Sequence, residues 1–170
     1  MNPSSFEPID AGVTVGHVHL KVSDLERSIA FYQDALGFEM MQRMGDSAAF
    51  MSAGGYHHHL GLNTWQSKGA GPAPRGAAGL FHAAFLYPSR VALARAYRRL
   101  VRLGVPLEGS ADHGVSEALY LRDPDDNGLE LYRDRPRAEW PTGADGSLQM
   151  FSHPLDLDAL LSLAAEAGGE

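Results

Sequence analysis

The chain has 170 residues, a formal net charge of −7 and no cysteine, which together describe one acidic domain with a sizeable core. The negative charge argues against a nucleic-acid partner, because phosphate binding requires a basic surface. The absence of cysteine excludes disulfides and thiolate metal sites, so histidines and carboxylates are the available metal ligands.

The sequence contains no pattern for membrane insertion or secretion. No apolar run is long enough to cross a bilayer, and the first residues have neither the basic head nor the apolar stretch of a signal peptide. We therefore expect a cytoplasmic protein without a membrane partner, a location that is compatible with a metal that must stay reduced.

The first half of the chain begins with an alternating strand pattern over residues 15–22. Ser23 and Glu26 then form a capping-box pattern, and apolar residues recur at helical spacing up to Gly37, which predicts a helix. Further strands are predicted at 38–44, 48–52 and 56–63. The first half therefore reads as one βαβββ unit.

A link rich in glycine and proline, residues 66–78, follows and predicts an exposed loop. The second half then repeats the order of the first. A strand is predicted over 80–87, and a helix capped by Ser89 ends at Gly104. The remaining strands are predicted at 105–108, 118–122 and 129–133.

The two halves match in phase as well as in order. Asp24 lies seven residues after His17, and Ser89 lies seven residues after His82. Such a match is the signature of an internal repeat and outranks local predictions of structure. The sequence therefore predicts an α+β fold built from two tandem βαβββ units.

We predict one domain over residues 13–137, with units at about 13–65 and 79–136 on either side of the loop at 66–78. Residues 138–170 are predicted to form a C-terminal extension outside the repeat. Within it, residues 154–165 read as a short helix that packs either on the body of the domain or on a second subunit.

Two histidines and a carboxylate occupy inward-facing positions of separate strands: His17, His82 and Glu130. Taken singly, each histidine has a structural reading, and Glu130 could be a carboxylate that faces water. The repeat favours function, because His17 and His82 fall at equivalent points of the two units. Two histidines and one carboxylate are the ligand set that holds a non-heme Fe(II) by one face.

The chain resembles the vicinal oxygen chelate superfamily, which includes glyoxalases, fosfomycin-resistance proteins, bleomycin-binding proteins and type I extradiol dioxygenases. The resemblance covers residues 13–137 and is carried first by Gly16 to Leu25, Phe31-Tyr32 and Leu36-Gly37-Phe38. The segments 55–65, 112–125 and 127–132 are similar to the catechol 2,3-dioxygenase branch. Members fold paired βαβββ units into a cupped mixed sheet with helices outside and a metal inside.

The resemblance implies that Fe(II), or alternatively Mn(II), is bound by His17, His82 and Glu130. It further implies three side chains that hold substrate or move protons: His59, His113 and Tyr120. We choose His59 from three adjacent histidines by strand parity, and we expect His57 and His58 to hydrogen-bond to neighbouring groups.

The activity implied is extradiol cleavage of a catechol by O2, which gives a ring-opened semialdehyde or a related acid. Two alternatives use the same fold: a metal-dependent isomerase or transferase of the glyoxalase or fosfomycin-resistance type, and a metal-free binding module. His59, His113 and Tyr120 favour the dioxygenase, because the alternatives do not need them. Many extradiol dioxygenases have two pairs of units, so this chain's single pair leaves substrate choice open, and we expect a homodimer.

Overall fold

The computed structural model describes residues 6–74 and 76–167 and contains two βαβββ units followed by a C-terminal helix. In the first unit, helix α1 continues directly into a π-helical turn. The elements of the first unit are β1 (Val18–Lys21), α1 (Leu25–Phe31), the π-helical turn (Tyr32–Leu36), β2 (Glu39–Met44), β3 (Ala48–Ser52) and β4 (Leu60–Asn63).

The second unit repeats this order with a longer helix, and the extension adds two further helical segments. These elements are β5 (Ala83–Leu86), α2 (Arg90–Leu103), β6 (Gly109–Asp112), β7 (Ser116–Arg122), β8 (Gly128–Asp134), a 3₁₀ helix (Arg137–Glu139) and α3 (Leu157–Glu166). No helix within the described residues is long and apolar enough to span a membrane.

Each unit forms its own four-stranded mixed sheet, with strand orders β1-β4-β3-β2 and β5-β8-β7-β6. The first strand of each unit pairs parallel with the fourth, and the other pairs are antiparallel. The predicted α+β fold of two tandem βαβββ units is confirmed. The two mixed sheets, one from each unit, have the same strand order. Strands β4 and β8 therefore occupy equivalent central positions.

The helix boundaries follow local capping, with one correction. Ser89 caps α2 as predicted, and its side chain accepts a hydrogen bond from the Ala92 amide. Ser23 is not the cap of α1, because Asp24 accepts from the Arg27 amide instead. Ser23 lies one residue earlier and donates its hydroxyl to Asp125 in the second unit. Ser23 therefore forms a long-range hydrogen bond to Asp125 instead of capping the helix.

Two predicted strands are wrong in position. Strand β4 begins at Leu60 rather than at Tyr56, because the residues after β3 form a turn through Gly54 and Gly55. Strand β6 is Gly109–Asp112 rather than 105–108. The apolar residues of that earlier run pack against the core from a loop, and an apolar run can be buried without pairing in a sheet.

The two units share one hydrophobic core and a buried polar contact. The core contains leucines of both central strands, including Leu60 in β4 and Leu131 in β8. Tyr32 is fully buried at the end of α1, and its hydroxyl donates to Asp123 of the β7–β8 turn at 2.9 Å. This hydrogen bond fixes the turn of the second unit against the helix of the first.

The C-terminal extension packs on the body of the domain. Leu160 and Ala164 of α3 are buried against α2, and Arg98 of α2 donates to the Ala164 carbonyl. Further upstream, Asp112 of β6 and His153 exchange two backbone hydrogen bonds of 2.9 Å. The extension therefore adds a single β-bridge at the edge strand β6 of the second sheet.

A buried ion cluster stabilises the second unit. Glu117 in β7 is 5% exposed and accepts hydrogen bonds from Arg90, Arg133 and Arg135. Burial alone would raise the pKa of this carboxyl, but the hydrogen bonds from Arg133 and Arg90 outweigh burial and lower it. Glu117 therefore stabilises the fold above its unfolded pKa, and this contribution is lost as pH falls through its folded pKa.

We expect Glu117→Gln to lower the free energy of unfolding by about 3 kcal/mol at neutral pH, because it removes the buried carboxylate that pairs with the partly buried Arg90 and Arg133. The loss should shrink in acid, where the native carboxyl is itself protonated. The matched control is Glu108→Gln, whose carboxylate pairs with Arg122 at 45% exposure and should contribute less than about 1 kcal/mol. Equal losses in urea unfolding of the two variants would contradict this account of Glu117.

Candidate metal and catalytic site

The parallel pairing of β5 with β8 brings two of the predicted ligands together. Ala84 is in register with Glu130, and His82 directly precedes β5. The His82 Nε2 atom lies 3.0 Å from Glu130 Oε2, and the two side chains are 31% and 14% exposed. A Cβ atom at Gly128 would overlap the Phe81 carbonyl oxygen, so glycine is required where the two strands approach.

The His82–Glu130 pair fits a divalent metal. The His82 Nε2 and Glu130 Oε2 atoms contact each other directly at 3.0 Å, and both are atom types that would serve as ligands of a divalent metal. The His82 Nδ1 atom is buried without a hydrogen-bond partner, an arrangement that costs stability. An imidazole and a carboxylate held in this way suit Fe(II) or Mn(II).

His17 lies in the first unit, just before β1, and the structure does not bring it to the His82–Glu130 pair. Its ring centroid is 4.6 Å from that of His58. Across residues 6–74 and 76–167, no three His, Cys, Asp or Glu side chains are grouped so that they could hold a metal ion. Ligation by His17 therefore stays a prediction.

The three adjacent histidines precede β4 instead of lying within it, so the strand parity used to select His59 does not apply. His58 lies between the rings of His17 and Phe50, with centroid distances of 4.6 and 5.1 Å. Burial lowers the pKa of His58, and the neighbouring histidines, His17 foremost, lower it further. His57 and His58 share a hydrogen bond of 2.8 Å, as expected of groups that bond to their neighbours.

His59 is oriented by groups at the end of β3. Its Nδ1 atom lies 2.9 Å from the Ser52 hydroxyl and accepts from the Ala53 amide at 3.4 Å. A backbone N–H can only donate, so Nδ1 carries no proton, and the Nε2 atom of the neutral ring must carry it. His59 is therefore set to act as a donor through Nε2.

A chain of hydrogen bonds leads from Glu130 away from His82. The Tyr120 hydroxyl lies 3.0 Å from Glu130 Oε1 and 2.7 Å from His113 Nε2, and His113 Nδ1 lies 2.9 Å from the Phe151 carbonyl. The antiparallel register pairs Tyr120 directly with Glu130. Burial, followed by the charge and hydrogen bond of Glu130, raises the pKa of Tyr120 to about 12. The phenol is therefore protonated at neutral pH.

A cavity of about 280 Å³ opens beside this chain. Its lining includes Phe81, His82 and Tyr120 on one side and the ion pair of Glu108 with Arg122 on the other. Its volume is at the lower end of ligand pockets and suits one aromatic ring with a small substituent. Because Arg122 is already paired, the cavity presents little net charge.

The structure adds groups that the sequence did not reveal. Ser52 orients His59, and the Phe151 carbonyl orients His113. A backbone carbonyl leaves no signal in the amino-acid sequence, and Ser52 lies in an ordinary strand pattern. Both partners depend on contacts between separate segments, which local patterns do not encode.

Two tandem βαβββ units, each with its own four-stranded mixed sheet, define the fold class of this chain. The family model described as the glyoxalase/bleomycin resistance protein/dioxygenase superfamily matches residues 14–131. The chain belongs to this superfamily. The vicinal oxygen chelate resemblance predicted from the sequence is thereby confirmed.

Curated relatives are similar over most of this chain. It is 40% identical over 156 residues to a catechol-2,3-dioxygenase from Bacillus subtilis. The aligned region covers 92% of this chain and 53% of that protein. It is 29% identical over 120 residues to a biphenyl-2,3-diol 1,2-dioxygenase from Rhodococcus globerulus. That alignment covers 71% of this chain and 63% of the relative. This chain thus spans about half the length of the first relative and less than two thirds of the second.

A solved structure shows the same fold at low identity. The crystal structure of a glyoxalase/dioxygenase from Nostoc punctiforme has a TM-score of 0.62 and 18% identity, and it covers 78% of this chain and 100% of that chain. At this identity the similarity establishes the fold alone.

Proposed function

We propose that this protein is a metal-dependent extradiol dioxygenase that cleaves the ring of a catechol with O2. The observation that carries the proposal is the hydrogen-bonded chain from His113 through Tyr120 to Glu130, adjacent to His82. The similarity to proteins named catechol-2,3-dioxygenase and biphenyl-2,3-diol 1,2-dioxygenase supports it. Both atoms of O2 enter the ring-opened product, so the reaction balances without an external reductant.

In this proposal Fe(II), or alternatively Mn(II), is held by His17, His82 and Glu130. When bound, the metal supplies a template for the two vicinal oxygens and a path for electrons between catechol and O2. The protein supplies the metal ligands and the side chains that orient them. Glu130 has both roles, because one oxygen faces His82 and the other accepts from Tyr120.

The other side chains divide the proton movements between them. Tyr120 is a neutral phenol that can hydrogen-bond to a catechol oxygen and pass a proton to His113 Nε2 at 2.7 Å. His59 presents Nε2–H as a hydrogen-bond donor in its neutral ring, and its doubly protonated form is proposed as the acid on the O2 side. An oriented imidazole is suited to giving or accepting a proton in such transfers.

The cavity walls fit a neutral aromatic ring. Phe81, Leu121 and Leu129 contribute to its lining, and the charged side chains Glu108 and Arg122 in this lining pair with each other. We propose a catechol with an uncharged substituent as the substrate.

We also propose a cytoplasmic homodimer. Three large apolar side chains are exposed just before the equivalent strands β1 and β5: Val15, Leu80 and Phe81. Adjacent exposed apolar side chains, here Leu80 and Phe81, are typical of surfaces that bind a partner, and a second copy of the chain is the partner proposed here.

The proposal is tested by loading the protein with Fe(II) without oxygen, adding catechol or biphenyl-2,3-diol, and then admitting air. We expect a yellow ring-cleavage product and uptake of one O2 per catechol consumed. If no product forms from either diol with Fe(II) or Mn(II), and a thiol adduct of an aldehyde is isomerised with Ni(II), the protein is an isomerase of the same superfamily.

Paired variants test the assignment of His59. We expect His59→Ala to lower kcat by about 10²–10⁴-fold, because an oriented proton donor is lost. His58→Ala is the matched comparison and should cost less, because the His58 ring packs between His17 and Phe50. A larger loss in His58→Ala, with metal content unchanged in both variants, would move the acid role to His58.

A further inference from the structure

The C-terminal extension contacts His113 through the backbone of Phe151. Phe151 accepts a hydrogen bond at its carbonyl from His113 Nδ1 at 2.9 Å and donates its amide to the His113 carbonyl at 3.3 Å. Two residues on, His153 exchanges two backbone hydrogen bonds with Asp112. This segment lies beyond the 14–131 range matched by the family model. Its backbone is therefore held against residues 112 and 113.

The carbonyl determines which nitrogen of His113 carries the proton. A carbonyl oxygen can only accept, so Nδ1 must be protonated for the 2.9 Å contact to be a hydrogen bond. In the neutral ring, Nε2 is then left with its lone pair, and it lies 2.7 Å from the Tyr120 hydroxyl. The Phe151 carbonyl thereby leaves Nε2 free to accept the proton of Tyr120.

The number of donors and acceptors shows that the hydrogen-bonded series His113–Tyr120–Glu130 can carry one additional proton. Tyr120 has one hydroxyl proton and two acceptors, His113 Nε2 and Glu130 Oε1. While His113 is neutral, this proton can point to Nε2. Once Nε2 has received a proton, His113 becomes the donor to the Tyr120 oxygen, and the hydroxyl of Tyr120 can point to Glu130. Nδ1 keeps its proton and its carbonyl partner throughout.

The Phe151 ring secures the position of its carbonyl. A Cβ atom placed on Gly114 would lie 2.6 Å from the Phe151 ring and 2.7 Å from Pro141, so the ring is wedged over the residue that follows His113. The other face of the ring stacks on His153, with centroids 4.2 Å apart and an angle of 25°. Gly114 has a φ of +76°, a conformation that favours glycine.

We propose that Phe151 is a positioning residue that holds His113 in its Nδ1–H tautomer, so that Nε2 is the proton acceptor for Tyr120. The consequence for turnover rests on the proposed dioxygenase function, whereas the tautomer itself does not. In this proposal the C-terminal extension orients a side chain of the candidate site and also packs on the domain.

The experiment is nitrogen NMR of the histidine side chains in the full-length, metal-free protein at mildly alkaline pH, with His113 assigned by the signals absent from His113→Gln. We expect the Nδ1–H tautomer in the unmodified protein. In Phe151→Ala we expect a mixture with a substantial Nε2–H fraction. Phe151→Leu, which keeps an apolar side chain over Gly114, should restore Nδ1–H.

Met150→Ala is the matched control, because its side chain is exposed and adjacent to Phe151 in the chain. It should leave the tautomer unchanged. With Fe(II) bound, Phe151→Ala should lower kcat by about 10-fold or more with little change in KM, as observed when an outer partner of a site is lost.

The NMR and turnover results separate the two proposals. A pure Nδ1–H tautomer in folded Phe151→Ala, or an Nε2–H tautomer in the unmodified protein, would overturn the positioning role. A tautomer shift in Phe151→Ala without ring cleavage by any of the proteins would support the positioning role and count against the dioxygenase. Equal shifts in Met150→Ala would show a general loosening of the extension and would also overturn the role of Phe151.

Discussion

Glu130→Gln should lower the affinity for Fe(II) by more than about 100-fold and abolish ring cleavage. Loss of an outer partner of a ligand already costs about 10–100-fold in metal affinity or activity, and this change removes the charge of a ligand itself. Glutamine keeps the volume of the side chain and an oxygen that can accept from Tyr120. The loss should therefore arise from missing charge and not from misfolding. Anaerobic titration with Fe(II) and measurement of product formation check both effects.

Asp134→Asn provides the control for this substitution. Asp134 lies on the same strand, β8, is exposed, and undergoes the same change of charge. It should leave Fe(II) binding and turnover within about two-fold of the unmodified protein, as expected of surface substitutions. Unchanged Fe(II) affinity in Glu130→Gln would show that this carboxylate is not a ligand, and the proposed metal site would have to be abandoned.

Tyr120→Phe should lower kcat by about 10²–10⁴-fold. Fe(II) should still bind, with an affinity lowered by no more than about 10–100-fold, because Tyr120 is an outer partner of the proposed ligand Glu130. The phenol is the link between Glu130 and His113, with contacts of 3.0 and 2.7 Å, and phenylalanine cannot carry the proton between them. The control is Tyr97→Phe on α2, which also removes one hydroxyl but lies outside the His113–Tyr120–Glu130 chain. Single-turnover and steady-state rates on Fe(II)-loaded protein measure the difference.

A double substitution tests whether Tyr120 and His113 act as a unit. If the proton passes from one to the other, Tyr120→Phe combined with His113→Gln should be little slower than the slower single variant, because residues of one relay have non-additive effects. Multiplicative losses would show two independent roles and would contradict the relay. Near-normal turnover in Tyr120→Phe would remove Tyr120 from the mechanism altogether.

The order of elements was largely predictable from the sequence, because local physics produces it. Alternation and helical periodicity located most strands and both repeat helices, and Ser89 capped α2 as expected. The match in phase between the halves identified the repeat, from which equal strand orders in the two sheets followed. The residue types of His82 and Glu130 also indicated a metal site, and the family resemblance indicated a role for Tyr120 in proton movement.

Other features depended on partners distant in the chain. Ser23 has the local chemistry of a helix cap, but Asp125 of the second unit binds it, and Asp24 caps the helix instead. The three histidines directly before β4 resemble its continuation, but they follow the turn at Gly54 and Gly55 and lie outside the strand. Parity arguments fail wherever a strand begins later than its pattern suggests, because the alternation of side chains holds only within the strand.

Composition and periodicity specified the repeated βαβββ units, since hydrophobic spacing and caps act over a few residues. The site needed the folded chain. Parallel pairing of β5 with β8 brings His82 to 3.0 Å from Glu130, and the extension brings the Phe151 carbonyl to His113. These contacts arise from strand register and from packing between distant segments, and a backbone carbonyl has the same chemistry at every residue, so neither is encoded in the local pattern of side chains.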